Sequence, residues 1–200
     1  LILILLNTIL QKYGGKSQGD MFITCATIAQ SYLLLITSSM IGISGGTQAI
    51  LSYNYGARRA DRVKDAERNI LGVMLIFTTI MFLLSRLVPR YFVLLFTSDP
   101  QYISFSVWAI HTYTLMIIPL SFQYVFVDGL TALDRPKTGL ALSVTRKSLF
   151  VLSAAILPVF FDAKAAFFAE PVADGVCSVL STVVFLLLIN RHLQKRCQTV

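Results

Sequence analysis

The sequence has little charge, little cysteine and little proline. Of its 200 residues, 14% are charged, three are cysteines and six are prolines, whereas 56% are hydrophobic and the mean hydropathy is +0.71. Soluble domains have about a quarter charged residues, so a soluble fold is excluded along most of the chain. Cys25, Cys177 and Cys197 lack metal-ligand spacing, so neither a metal site nor a disulfide framework is indicated.

Recognisable catalytic motifs are also missing. The chain has no Gly-Lys-Ser/Thr phosphate loop, no paired-histidine metal motif and no serine nucleophile elbow. These absences argue against an enzyme and against a pump driven by ATP through these residues. Basic residues outnumber acidic ones, 17 to 10. In so apolar a chain we read this excess as a signal of membrane topology and not of nucleic-acid binding.

Long apolar segments follow one another along the chain. They cover residues 1–10, 21–55, 70–84, 103–127, 138–161 and 165–190. We predict an all-α integral membrane fold, because backbone groups in lipid must be bonded within the segment and the alternation of a β-barrel is missing. The first segment is too short to span a bilayer and does not resemble a signal peptide. We therefore expect a six-helix lobe with five complete spans and a truncated first helix, as a fragment of a longer protein.

Basic residues alternate between successive loops. One side has twelve, namely Arg58, Arg59, Arg62, Lys64, Arg68, Arg135, Lys137, Arg146, Lys147, Arg191, Lys195 and Arg196, and the other has five, namely Lys12, Lys16, Arg86, Arg90 and Lys164. The richer side is predicted to be cytoplasmic, where it contacts anionic lipid headgroups. We expect a multi-pass cell-membrane protein with a transmembrane lobe over residues 1–190 and a cytoplasmic basic tail over 191–200.

Polar side chains recur at helical spacing within the apolar segments. Gln30 and Thr37 share a face of the second segment, Asp128 ends a polar face of the fourth, and Arg146 lies on one face of the fifth. Such residues either line a polar pathway or bind neighbouring helices together. Asp128 has the further alternative of pairing with Arg146 or Arg135. Pro119 predicts a kink in the fourth segment.

Glu170 and Asp174 are the acidic pair within the apolar segments. They are one helical turn apart, beside Pro171. If both face the bundle interior, we expect one carboxyl to bind a proton at neutral pH or a cation to lie between them. The alternative places Glu170 among outer headgroups, with only Asp174 buried.

The stretch Gly42–Ala66, GISGGTQAILSYNYGARRADRVKDA, resembles the signature of the multidrug and toxic-compound extrusion (MATE) family. The matching positions are Gly42, Gly46, Gln48, Ile50, Tyr53, Asn54, Tyr55, Gly56 and Ala57. Leu133–Pro158 and Ala169–Ser181 are similar to the last two helices of a lobe in that family. Ala49 departs from the usual proline, and the end of the fourth segment differs from the common pattern. We predict that Gly56 ends its helix in a left-handed conformation.

The resemblance implies one half of a twelve-helix, two-lobe transporter whose partner is the missing N-terminal lobe. It implies a secondary active exporter of cationic or amphipathic small molecules, without a cofactor and driven by a Na⁺ or H⁺ gradient. The assigned residues are Gln30, Thr37, Glu170 and Asp174 for the substrate or ion pathway, and Tyr53, Asn54, Gly56, Asp128 and Arg146 for structural or gating roles. A lipid-linked saccharide flippase of the same superfamily and a non-transporting helper fragment are the alternatives.

Overall fold

A computed structural model shows an all-helical chain over the residues it describes, 2–197. Of residues 2, 3, 16, 17 and 190–197, only the backbone is described. The helices are α1 (Ile2–Gly56), α2 (Ala60–Leu87), α3 (Pro89–Val93), α4 (Pro100–Tyr113), α5 (Ile117–Ala132), α6 (Pro136–Phe160) and α7 (Ala169–Cys197), with a 3-10 helix at Ala163–Phe168 before α7. Helix α5 is central and packs against α1, α2, α6 and α7.

The predicted all-α membrane architecture is confirmed. Among the described residues, four stretches are long and apolar enough to cross a membrane, at Gln18–Gly56, Ala60–Leu87, Pro136–Phe160 and Ala163–Ile189. The pair α4 and α5 adds a fifth span when it is counted as one bent helix. The five complete spans predicted from the sequence therefore have counterparts in the structure.

The polar stretch at residues 11–20 is helical, where the sequence predicts a loop. Only Gly15 departs from helical geometry, with φ 65° and ψ −171°. A Cβ on Gly14 would lie 2.9 Å from the Cα of Gly19, which a continuous helix does not permit for residues five apart. The chain therefore reverses sharply at Gly15, whose positive φ favours glycine.

The predicted kink before Pro119 is confirmed. Helices α4 and α5 meet at an angle of 47° across the break at residues 114–116. Pro119 lies in the first turn of α5. In a continuous helix its N–H would donate to the carbonyl of Leu115 in the break, but proline has no N–H and its ring crowds that carbonyl. The bend thus separates the two halves of one span.

The predicted left-handed conformation of Gly56 is wrong. Gly56 is the last residue of α1, and the left-handed residue is Arg58, with φ 58°. The N–H of Arg59 donates to the carbonyl of Asn54 at 3.0 Å, and the N–H of Arg58 donates to that of Tyr55 at 3.1 Å. This bonding pair closes the helix at Arg58, so the turn needs no left-handed residue at Gly56. Asn54 donates to the carbonyl of Ile50 inside the helix.

Within the described part of the chain, the glycines of the α1 signature make no close helix contacts. A Cβ added to Gly42, Gly45 or Gly46 would meet nothing within 4 Å. Close approach occurs instead at Gly129 of α5 and Gly139 of α6, where an added Cβ would lie 2.5 Å from a side-chain oxygen of Glu67 and 2.9 Å from that of Thr131. Helix α1 stays helical through its glycine-rich middle.

The helix ends alternate between two faces of the bundle. We define the basic end as the face that contains the turns at residues 57–59 and 133–135. The start of α2 lies at this face, together with the cleft between α2 and residues Leu186 and Ile189 of α7. Arg146 and Lys147 are not part of this basic end, since they lie ten and eleven residues into α6, about 15 Å or more from the helix start. Without them, the ratio of basic residues on the two sides is ten to five. The cytoplasmic location of this end stays a prediction.

Candidate functional site

Arg146 of α6 forms two ion pairs with the first turns of α7. Its Nε donates to Oδ1 of Asp174 at 2.6 Å, and its Nη2 donates to Oε1 of Glu170 at 3.2 Å. The side chain of Asp174 is 1% exposed, and those of Glu170 and Arg146 are 12% and 10% exposed. We call these three residues the Arg146 cluster.

The cluster explains how two carboxylates one turn apart are both tolerated in a membrane helix. Ion pairs and charge-assisted hydrogen bonds offset the cost of removing charges from water. Oδ2 of Asp174 is buried and has no hydrogen-bond partner among the described residues. With both acids ionised, the three residues have a net charge of −1, and one further proton or monovalent cation would neutralise them.

The Arg146 cluster lies at the wall of a cleft of about 550 Å³. Arg146 and Glu170 line it on one side, and polar side chains of α1 line it on the other, namely Asn7, Thr27, Gln30, Ser31 and Thr37. The predicted pathway residues Gln30, Thr37 and Glu170 therefore meet at one cavity, while Asp174 lies behind Arg146. The alternative that places Glu170 among headgroups does not fit its burial.

Asp128 lies in a second, smaller cavity of about 260 Å³ toward the basic end. Arg146 forms its ion pairs with Glu170 and Asp174 and not with Asp128. Tyr124, Arg146 and Lys147 line both cavities, so these three side chains stand between the cleft and the cavity of Asp128. Arg146 pairs with the acids of α7 because its side chain extends from the side of α6 that faces α7.

Several other polar residues of the apolar segments bind helices together. Ser44 of α1 donates to the carbonyl of Tyr124, and Ser181 of α7 donates to Oε1 of Gln123, both at 3.2 Å. Further hydroxyl pairs join α2 to the α4–α5 span, at Thr78–Ser121 and Ser85–Thr114. These contacts agree with the helix-packing alternative for the serine and threonine faces.

The remaining predicted residues, Tyr53, Asn54 and Gly56, lie at the end of α1 and away from the Arg146 cluster. Tyr53 is 72% exposed. The nearby Ser52 hydroxyl donates to the carbonyl of Ala132 at 3.2 Å. The end of α1 is thus fixed against the end of α5, which makes a corner of the basic end.

Two residues that matter were not singled out from the sequence. The ring centroid of Tyr124 lies 5.7 Å from Cζ of Arg146. Tyr124 is three residues after Ser121 and four before Asp128, so it shares their helical face. This spacing could have identified Tyr124 from the sequence. Glu67 is 5% exposed on the buried face of α2. Its helical spacing from Val63, Ile70 and Met74 could have indicated this burial from the sequence, but the basic residues around Glu67 suggested a solvated stretch.

The apolar spans and the charged cleft between them define one lobe of an α-helical membrane protein. The MatE family model matches residues 1–157, and the chain belongs to this family. The FAD transporter of Shewanella oneidensis is 26% identical over 136 residues, which are 68% of this chain and 29% of that protein.

Solved structures of MATE transporters share the fold. A MATE crystal structure in the bent conformation matches this chain with a TM-score of 0.87 at 14% sequence identity. The match covers 98% of this chain and 43% of the MATE chain. An outward-facing multidrug resistance transporter of the family gives 0.87 and an inward-facing one gives 0.84, both at 15% identity. The chain spans less than half the length of the relatives it matches.

Proposed function

We propose that this chain acts as one six-helix lobe of a secondary active exporter, together with a second lobe, and that the transporter exports cationic or amphipathic small molecules, driven by a Na⁺ or H⁺ gradient. The observation that carries the proposal is the Arg146 cluster at the wall of the cleft. Its net charge of −1 offers a site for one coupling cation. Alternating access would then follow from binding at the interface of two lobes.

Two features of the lobe support rocking as a unit. It matches both an outward-facing and an inward-facing transporter with nearly equal TM-scores. Its helices are joined by buried hydrogen bonds, such as Thr78–Ser121 and Ser181–Gln123. A lobe with these bonds transmits a change at one helix to its neighbours without unfolding.

A flavin dinucleotide is a second candidate substrate. It is favoured by the similarity to an FAD transporter and by Lys147, an exposed cation that lines the same cleft. A lipid-linked saccharide has less support, because Arg146 and Lys147 are the only cations among the described residues of the cleft and Arg146 is already paired.

The test is efflux from proteoliposomes that contain the full-length protein, with ethidium or FAD inside and a Na⁺ or pH gradient imposed. We expect Asp174→Asn, alone and with Glu170→Gln, to lower gradient-driven efflux at least tenfold, and the exposed Asp65→Asn to have no effect. Undiminished efflux by both folded variants between pH 6 and 8 would reject the coupling role. Whichever of the two solutes moves identifies the cargo class.

A further inference from the structure

Glu67 of α2 is a buried acid outside the Arg146 cluster. It is 5% exposed, and neither of its carboxylate oxygens has a hydrogen-bond partner among the described residues. In the Arg146 cluster, by contrast, an arginine reaches both acids. An ionised carboxylate without a partner is strongly disfavoured away from water, and such groups become neutral instead.

The carboxylate of Glu67 points at the backbone of α5. A Cβ added to Gly129 would lie 2.5 Å from Oε1 and 3.0 Å from Oε2 and Cδ. Gly129 therefore leaves the space that the carboxyl group occupies. Any other residue at position 129 would push the carboxyl group away or separate α2 from α5.

Among the residues whose side chains the structure describes, no charged group compensates Glu67. Asp128, next to Gly129 on α5, is close enough to act on Glu67 electrostatically and has the same sign of charge. Lys64 and Arg68 line the adjoining cleft of about 300 Å³ from α2 itself, but both are exposed. The α7 residues that line this cleft, Leu186 and Ile189, are apolar.

We propose that Glu67 is a proton-binding site, in which the proton neutralises the carboxyl group that lies between α2 and Gly129 of α5. The cleft between Lys64 and Arg68 gives the proton a short route to water at the basic end. Glu67 itself lines this cleft, so the proton can exchange with water while α2 stays packed against α5. Only the consequence for ion coupling rests on the proposed transport function.

Chemical labelling tests protonation without any variant. Dicyclohexylcarbodiimide adds to protonated carboxyl groups in apolar surroundings, and mass spectrometry locates the adduct. We expect purified full-length protein to be labelled at Glu67 at pH 7, and at least tenfold less at pH 10. Asp65, exposed on the same tryptic peptide, is the internal control and should stay unlabelled. No label at Glu67, or equal labelling of Asp65, would overturn the proposal.

Infrared difference spectroscopy of the same protein gives an independent readout. We expect the carbonyl-stretch band of protonated carboxyl groups at pH 7 to contain a component that is lost at high pH, is missing in Glu67→Gln and is retained in Asp65→Asn. A band that persists unchanged in Glu67→Gln would exclude Glu67 as its source and reject the proposal. Neither measurement requires transport, so failure of the proton site is distinguishable from failure of the exporter assignment.

Discussion

The Arg146 cluster and Glu67 accommodate buried acids in opposite ways. In the cluster, Asp174 is 1% exposed and accepts a 2.6 Å hydrogen bond from an arginine. At the basic end, Glu67 is nearly as buried but lies against a glycine with no cation bound to it among the described residues. The comparison shows that the depth of burial alone does not decide whether an acid is charged or neutral. The groups within hydrogen-bonding distance of its carboxyl oxygens decide it.

The largest expected effect comes from removing the cation of the cluster. Arg146→Met leaves Glu170 and Asp174 facing each other in an apolar interior, which we expect to cost about 3–5 kcal/mol of unfolding free energy. Thermal unfolding in detergent and recovery of monodisperse protein measure it. The control is Lys147→Met, at the exposed neighbouring position, with a change within about 0.5 kcal/mol. Equal stability of the two variants would remove the contrast with Glu67.

The two acids of the cluster should not be equivalent. Asp174→Asn should cost about 2–3 kcal/mol, because it weakens the shorter and more deeply buried charged hydrogen bond. Glu170→Gln should cost about 1 kcal/mol or less, since its contact is longer, at 3.2 Å, and its side chain is more exposed. Unfolding curves of both variants decide the order, and a larger loss at Glu170 would contradict this account of the cluster.

Gly129→Ala tests the other side of the comparison. The added methyl group overlaps the carboxyl group of Glu67, so we expect a loss of about 1–3 kcal/mol. Glu67→Ala in the same chain should recover part of it, which a double-mutant cycle measures. Gly72→Ala on α2 is the control, because its Cβ would meet nothing within 4 Å, and it should gain about 0.5–1 kcal/mol. Additive losses would show that Glu67 and Gly129 do not interact.

The smallest effect concerns the ring beside the arginine. Tyr124→Phe keeps the ring near Arg146 and should leave stability almost unchanged, whereas Tyr124→Leu should lose about 0.5–1 kcal/mol beyond the packing change. Measuring both Tyr124 variants again in the Arg146→Lys background isolates the contact between the guanidinium group and the ring. If Phe and Leu give the same result there and in the native background, Arg146 is held by its carboxylates alone.

The sequence by itself determined the membrane class, the helical spans and their alternation. Hydropathy and loop charge are properties of local composition, and lipid leaves a long apolar segment little choice but a helix. The bend before Pro119 was likewise predictable, because a missing N–H acts within its own helix. Gln30, Thr37 and Glu170, which line one cleft, could be singled out from the sequence because polar groups in apolar segments are costly and therefore conspicuous.

Only the tertiary structure decided which polar groups meet. That Arg146 binds Asp174 and Glu170 instead of Asp128 depends on the direction in which α6 faces α7, which no spacing within one helix encodes. The left-handed residue at Arg58, and not at Gly56, was set by where the last carbonyls of α1 find donors. Glu67 looked like part of a solvated basic stretch until α5 was packed against it. Partner choice between helices is a property of packing, and packing brings together residues that are far apart in the chain.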